Sequence, residues 1–155
     1  MITVVVPGTP IAKKRPRFAV RGGKGHVYSD QETEEGKLLW ELRQQFKGEP
    51  LEGALQVQIT FYFVPLKGDK AKVRAAKLNG EEGHTKKPDV DNLIKFYFDV
   101  MNGLIWVDDS QVVAVFGEKR FAEQARTEII IKRMGECDLE ATQTAEAELA
   151  CASDF

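Results

Sequence analysis

Apolar and polar residues alternate most clearly in the stretch from Ala54 to Val64. Five large apolar residues occupy every second position there, and Gln, Thr and Tyr residues lie between them. A repeat of two residues is typical of a strand with one buried face. The same pattern, in shorter form, predicts three further strands, at Thr3–Val6, Val112–Phe121 and Thr127–Met134.

Apolar residues spaced three or four positions apart predict helices. The first helix is expected to begin at an N-cap, Ser29 or Asp30, and to continue to about Phe46. A second helix is expected over about Val90–Met101, and a third is compatible with Lys70–Leu78. These elements predict an α+β or mixed α/β fold, with a small mixed sheet flanked by helices.

The chain has 155 residues, enough for one domain with a hydrophobic core. We expect that domain to cover residues 1–134. Residues 135–155 form an acidic tail, expected to be frayed helix or disordered. The order of the strands in the sheet cannot be read from the sequence.

The segment between the first strand and the first helix, Pro7–Ser29, is basic. It contains six cations and no acid: Lys13, Lys14, Arg15, Arg17, Arg21 and Lys24. Its prolines and glycines predict an irregular loop rather than a regular element. A cationic loop suits the neutralisation of phosphates, although a solvated surface segment is equally compatible with this composition.

The net charge of −2 seems to argue against a polyanionic partner, but its distribution argues the other way. Six of the 24 acidic residues lie in the tail, which has no Lys or Arg, so the remainder carries 22 basic against 18 acidic residues. Local charge governs the encounter with a polyanion.

The longest uncharged apolar stretch, Ile59–Leu66, is too short to span a bilayer, and the N-terminus does not resemble a signal peptide. We therefore expect a protein of the cytoplasm that does not bind membranes. Cys137 and Cys151 are expected to be reduced thiols, and His26 and His84 do not supply zinc-site spacing.

Four aspartates form two close pairs around the second predicted helix, and a lysine lies between the pairs. The pairs are Asp89 with Asp91 and Asp108 with Asp109, and the lysine is Lys95. Mg²⁺ prefers oxygen ligands and usually takes one or two protein carboxylates. A metal ion can activate water for phosphodiester hydrolysis, and a nearby lysine can stabilise the charge that develops on phosphate.

On a helix, Asp91, Lys95 and Asp99 fall within about 80° of one another. Apolar residues cover an arc of about 200° on the rest of the helix, wider than the single stripe of an ordinary surface helix. We expect Asp108 and Asp109 to face the same polar strip from the turn that follows.

Each of these features has a structural alternative. Asp89 or Asp91 could be an ordinary N-cap, and Asp91 with Lys95 could be a surface ion pair. The run Asp108-Asp109-Ser110 is also common turn chemistry. The residues by themselves leave both interpretations open.

Beyond this chemistry, the sequence resembles the RusA-like Holliday-junction resolvases. The run Pro88–Lys95, then Asp99, then Asn102–Val113 is similar to the signature of that family. Lys14–Arg17 and His26–Tyr28 are similar to its phage and prophage members. The resemblance covers most of residues 1–134.

The resemblance implies a homodimer that binds four-way junctions and makes paired nicks with Mg²⁺, which Mn²⁺ could replace. It implies that Asp89, Asp91 and Asp109 are the metal-site carboxylates and that Lys95 is the catalytic lysine. Asp108 is implied as a supporting acid of the same metal site. No organic cofactor is expected.

Two symmetric cuts suit a two-fold dimer, and the wide apolar arc of the second helix is consistent with burial at a subunit interface. We further expect six cations to hold the DNA backbone: Lys13, Lys14, Arg15, Arg17, Lys86 and Lys87. Two other functions remain open. One is a metal-dependent nuclease for flaps or forks, and the other is a non-catalytic DNA-binding module.

Overall fold

The computed structural model describes residues 1–14, 17–21, 24–28 and 31–135, and for 17–21 and 24–28 it describes the backbone alone. A short 3₁₀ helix covers Asp109–Gln111. The regular elements, in chain order, are β1 (Ile2–Pro7), β2 (Arg17–Arg21), β3 (Lys24–Tyr28), α1 (Glu32–Gln45), β4 (Leu55–Phe63), α2 (Ala71–Leu78), α3 (Val90–Met101), β5 (Val112–Phe121) and β6 (Arg126–Arg133).

The main sheet has four strands in the order β1-β6-β4-β5. β6 is antiparallel to both β1 and β4, whereas β4 and β5 are parallel. Two parallel neighbours require a long crossover connection. That crossover contains α2 and α3, so the segment with the candidate acids connects the two parallel strands. The sheet is therefore mixed, as the sequence predicted.

The core lies between the helices and one face of this sheet. The apolar residues of β4 are buried on that face, and Gln56 and Gln58 on the other face are exposed. On α3, the inward residues are Leu93, Phe96, Tyr97 and Met101. The hydroxyl groups of Tyr97 and Thr127 lie 2.8 Å apart in the core, which satisfies both.

Contacts within the chain account for the wide apolar arc of α3. Ile94 lies over β5 at Gly117, where an added Cβ would come within 2.6 Å of Cδ1 of Ile94. Glycine at this position therefore permits the close approach of helix and strand. The ring of Phe98 packs against Trp106, with centroids 5.1 Å apart. The arc is thus not in itself a sign of a subunit interface.

The prediction of an irregular loop over Pro7–Ser29 is wrong in part. β2 and β3 pair antiparallel, from Arg17 with Tyr28 to Arg21 with Lys24. In the sequence, Gly22-Gly23 separates two short runs of strand-forming residues, and two glycines are favourable for a tight hairpin. The composition of the whole segment concealed this local pattern.

The predicted N-cap of α1 also needs correction. The N-cap is Gln31, while Ser29 and Asp30 lie outside the described residues. The side chain of Gln31 is fully buried, accepts a hydrogen bond from the amide of Lys14 and donates one to the carbonyl of Ala12. It therefore joins the start of α1 to the segment after β1.

The tail from residue 136 onward lies outside the described residues, so its predicted state stays a prediction. No helix in the described part of the chain has the length and apolar character needed to cross a membrane.

Candidate active site

The first acid pair lies at the N-terminal end of α3. Asp89 occupies the N-cap position, but its side chain makes no capping hydrogen bond. Asp91 follows in the first turn, and Lys95 lies one turn later, with all three side chains exposed. Within the described residues, no ion pair within 4.0 Å joins Asp91 to Lys95. The structure thus favours neither the N-cap nor the ion-pair alternative, and leaves these groups free to bind a ligand.

Lys119 of β5 organises the segment that leads into Asp89. Its Nζ donates hydrogen bonds to the carbonyl oxygens of Lys86 at 2.8 Å and Pro88 at 2.9 Å. The Lys87–Pro88 peptide bond in this segment is cis. The sequence analysis did not single out Lys119. The sequence signal for it was a cation two residues after Gly117, which places both residues on the inward face of the same strand.

The predicted DNA contacts Lys13 and Lys14 are paired with acids. Nζ of Lys13 lies 3.0 Å from Glu35 and 2.9 Å from Asp99, so it joins α1 to α3. Burial lowers the pKa of Lys13, but its hydrogen bonds to Asp99 and Glu35 outweigh that effect and raise the pKa. Asp99 is therefore not free on the polar strip of α3.

Lys14 lies 3.2 Å from Glu34 and is more exposed than Lys13. Of the other predicted DNA contacts, the side chains of Lys86 and Lys87 are described, and those of Arg15 and Arg17 are not. Lys86 and Lys87 are exposed, and no ion pair of theirs is found among the described residues. Arg15 lies outside the described residues, as does the side chain of Arg17.

The two acids of the second pair have different surroundings. The carboxylate of Asp108 accepts a hydrogen bond from the amide of Ser110 at 2.9 Å, and the side chain of Gln111 accepts one from the amide of Asp108 at 3.0 Å. The hydrogen bonds from Ser110 lower the pKa of Asp108. The turn interpretation therefore holds for Asp108. Asp109 is exposed and has no such bond among the described contacts.

The two acid pairs lie toward opposite ends of α3. Asp89 is beside the Lys119 contact, near the end of β5, whereas Asp109 begins the 3₁₀ helix that leads into β5. α3 alone separates these ends by about 15 Å, at about 1.5 Å per residue. Within the described residues, no three His, Cys, Asp or Glu side chains come close enough to hold a metal ion. The expected convergence of Asp108 and Asp109 on the polar strip is not found within one chain.

The donor chemistry at the start of α3 still fits Mg²⁺. Asp89 and Asp91 supply two exposed carboxylates, and Mg²⁺ usually takes one or two carboxylates with water and phosphate in its other positions. Asp109, the third carboxylate of the predicted metal site, lies toward the other end of α3.

The chain is similar to a nuclease family over most of its length. The family model described as endodeoxyribonuclease RusA matches residues 7–132. The YqaN protein of Bacillus subtilis (strain 168) is 33% identical over 138 residues, which cover 86% of this chain and 96% of that protein. The crossover junction endodeoxyribonuclease RusA of Aquifex aeolicus (strain VF5) is 28% identical over 125 residues, covering 79% of this chain and 82% of that protein. Since the family match includes both acid pairs and Lys95, the chain belongs to the RusA family and is an endodeoxyribonuclease.

Proposed function

We propose that this endodeoxyribonuclease resolves Holliday junctions by paired symmetric nicks, in DNA recombination and repair, as a Mg²⁺-dependent homodimer. The observation that carries the proposal is the state of the first acid pair. Asp89 and Asp91 are exposed at the start of α3, unpaired among the described residues, with Lys95 one turn away. Such a group binds phosphate and a divalent cation but contributes little to the fold itself.

Each residue has a defined role in this proposal. Asp89, Asp91 and Asp109 would hold Mg²⁺, which when bound neutralises phosphate charge and activates water for hydrolysis. Mn²⁺ is expected to substitute for it. Lys95 stabilises the negative charge that develops on the phosphate. Lys119 keeps Asp89 in place through the carbonyl of Pro88.

The separation of the acids supports the proposed homodimer. Asp109 cannot join Asp89 and Asp91 of its own chain, because they lie toward opposite ends of α3. In a two-fold dimer, Asp109 of one copy can join the first acid pair of the other copy. The dimer then has two identical sites, which suits a substrate with approximate two-fold symmetry.

The first experiment is cleavage of a labelled four-way junction with and without Mg²⁺, beside linear duplex and a fork. We expect symmetric nicks on the junction that require Mg²⁺. The variant Asp91→Asn should bind the junction without cutting it, while Glu49→Gln, at an exposed acid in the loop after α1, should cut normally. Preferred cutting of the fork would assign another branched substrate, and binding without cutting by the wild type would contradict the nuclease mechanism.

A second experiment tests whether each site needs two copies. Asp91→Asn and Asp109→Asn subunits are co-expressed with different tags, and the mixed dimer is isolated. If the sites are shared, one site of the mixed dimer receives both substitutions and the other receives none. We therefore expect single nicks from the mixed dimer and none from either parent. A mixed dimer as inactive as its parents would show that each site is built from one chain.

A further inference from the structure

β2 and β3 form a hairpin that does not extend the main sheet. The two strands pair antiparallel as a two-stranded sheet of their own. A two-stranded hairpin is only marginally stable in water unless one of its faces packs against another surface. The composition of the two faces therefore indicates which surface the hairpin fits.

The register of the hairpin divides its residues into two unlike faces. Directly opposite residues share a face, as do residues two positions apart along a strand. The pairing runs from Arg17 with Tyr28 to Arg21 with Lys24, which assigns every residue of both strands to a face. The first, which we call the cationic face, carries Arg17, Ala19, Arg21, Lys24, His26 and Tyr28. The second, which we call the apolar face, carries Phe18, Val20, Gly25 and Val27.

The root of the hairpin lies beside the first acid pair. The amide of Lys13 donates a hydrogen bond at 2.9 Å to the carbonyl oxygen of Asn92, the residue that follows Asp91. The amide of Lys14 donates one at 2.7 Å to Oε1 of Gln31, so the segments that enter and leave the hairpin are joined. Five residues of strand span about 17 Å. DNA that binds at the acid pair is therefore within reach of the hairpin.

The charge of the hairpin is complementary to DNA. The sequence from residue 17 to residue 28 contains Arg17, Arg21 and Lys24 and no acid. A cationic surface of this kind neutralises phosphates and releases their counterions. A two-stranded ribbon also has dimensions that a DNA groove can admit. Phosphates are present in every DNA, however, so the cationic face by itself does not distinguish a junction from linear duplex.

The apolar face can make that distinction. Apolar residues that enter a continuous duplex must first unstack a base step, which costs free energy. At the crossover of an open four-way junction the stacking of the arms is already interrupted, and the last base pair of each arm presents its flat surface. An apolar face that includes a phenylalanine can pack on this surface without the cost of unstacking.

We propose that the β2–β3 hairpin recognises the crossover of the junction. Its cationic face binds phosphates, and its apolar face packs on the bases that are exposed at the crossover. This inference rests on the proposed function and adds the surface that selects the junction over linear duplex. The cationic face then determines how tightly any DNA binds, and the apolar face determines which DNA is preferred.

Binding without Mg²⁺, in the presence of a chelator, tests the two faces separately and does not depend on cleavage. Phe18→Ser should reduce the preference for a four-way junction over linear duplex by about 10-fold, as expected when one aromatic contact with a base is lost. Its affinity for duplex should stay unchanged. Arg21→Gln should weaken binding to both DNAs alike and lower the salt slope by about one. Trp40→Ser, at a 60% exposed aromatic residue of α1, is the matched control and should change neither quantity.

The outcomes separate this inference from the proposed function. A wild-type protein without preference for the junction contradicts both of them. A preference that survives Phe18→Ser contradicts this inference alone. Equal weakening of both DNAs by Phe18→Ser, together with a lower thermal midpoint, shows that the apolar face packs on the protein itself, and this also overturns the inference.

Disulfide trapping locates each face on the junction. In a background with Cys137→Ser and Cys151→Ser, a cysteine is placed at Ala19 on the cationic face or at the adjacent Val20 on the apolar face. The junction carries a cytosine with a tethered thiol, either at the crossover or in the middle of one arm. We expect Val20→Cys to form a disulfide with the crossover probe, and to do so much faster than Ala19→Cys or than with the arm probe. Equal trapping by the two variants, or faster trapping in the arm, overturns the proposal.

Discussion

Lys119 donates a hydrogen bond from its Nζ to the carbonyl oxygen of Pro88 at 2.9 Å, and so ties the end of β5 to the residue before Asp89. The same group also reaches the carbonyl of Lys86 at 2.8 Å. Two charge-assisted bonds from one strand thus hold the segment from which the first acid pair projects. We infer that Lys119 is a positioning residue for Asp89.

Replacement of Lys119 by Met should slow junction cleavage while junction binding remains. We expect a loss of about 10- to 100-fold in the single-turnover rate, as is typical when support for a metal-binding carboxylate is removed. The concentration of Mg²⁺ for half-maximal activity should rise as well, which a purely structural defect would not produce. Lys47→Met, at an exposed position after α1, is the control and should leave both quantities unchanged.

Asp108 and Asp109 are adjacent, yet they should respond differently to the same substitution. Asp108→Asn keeps an oxygen that can accept from the amide of Ser110, so the thermal midpoint and nicking should stay close to wild type. Asp109→Asn removes a carboxylate without any hydrogen bond among the described contacts, so the fold should be unaffected and nicking lost. The measurement is nicking with Mg²⁺ beside a thermal melt. If both variants lose nicking equally, Asp108 belongs to the metal site.

Lys86 and Lys87 should contribute to the salt dependence of junction binding, whereas Lys13 should not. Lys86 and Lys87 are exposed, and replacing either with Ala should lower the slope of log Kd against log salt by about one. Lys13 is already held by Glu35 and Asp99, so Lys13→Met should lower the thermal midpoint and leave the slope nearly unchanged. Junction binding across a salt series measures both effects. A slope change for Lys13→Met equal to that of Lys86→Ala would show that Lys13 contacts DNA.

His84 should make the fold sensitive to mild acid. Its ring stacks on Phe63, with centroids 4.3 Å apart, and also contacts Phe121. Burial, and then the positive charge of Lys119, lower the pKa of His84 below the usual 6.5. The unfolded chain therefore binds the proton more readily, so stability is full above about pH 6.5 and falls as the pH drops toward the lower folded pKa.

The variant His84→Phe keeps an aromatic ring between Phe63 and Phe121 but cannot take up a proton. Its thermal midpoint should fall less than that of the wild type when the pH is lowered from about 8 to about 5, the range in which histidine titrates. Melts of both proteins in matched buffers measure the difference. Equal decreases would show that His84 does not contribute to the acid sensitivity.

Some features could be predicted from the sequence because they depend on neighbours in the chain. The alternation in β4 and the helical spacing in α3 reflect one buried face. The predicted helix agrees with the observed Val90–Met101, and the predicted strand, Ala54–Val64, is one residue longer at each end than the observed Leu55–Phe63. The spacing of the acids around Lys95 carried the family resemblance, which the family match over residues 7–132 confirms. The hairpin of β2 and β3 was also local, and the prediction missed it only by averaging the composition of the segment.

Other features depend on contacts between residues far apart in the chain, and only the tertiary structure decided them. The parallel pairing of β4 with β5 sets Asp89 and Asp109 toward opposite ends of α3, which no spacing in the sequence reveals. The pairing of Lys13 with Asp99, and of Lys119 with the carbonyl of Pro88, arises from helix and strand packing. The sequence determined which side chains carry the chemistry, because residue type and local period suffice for that. The fold determined which of them can meet, because this depends on long-range packing.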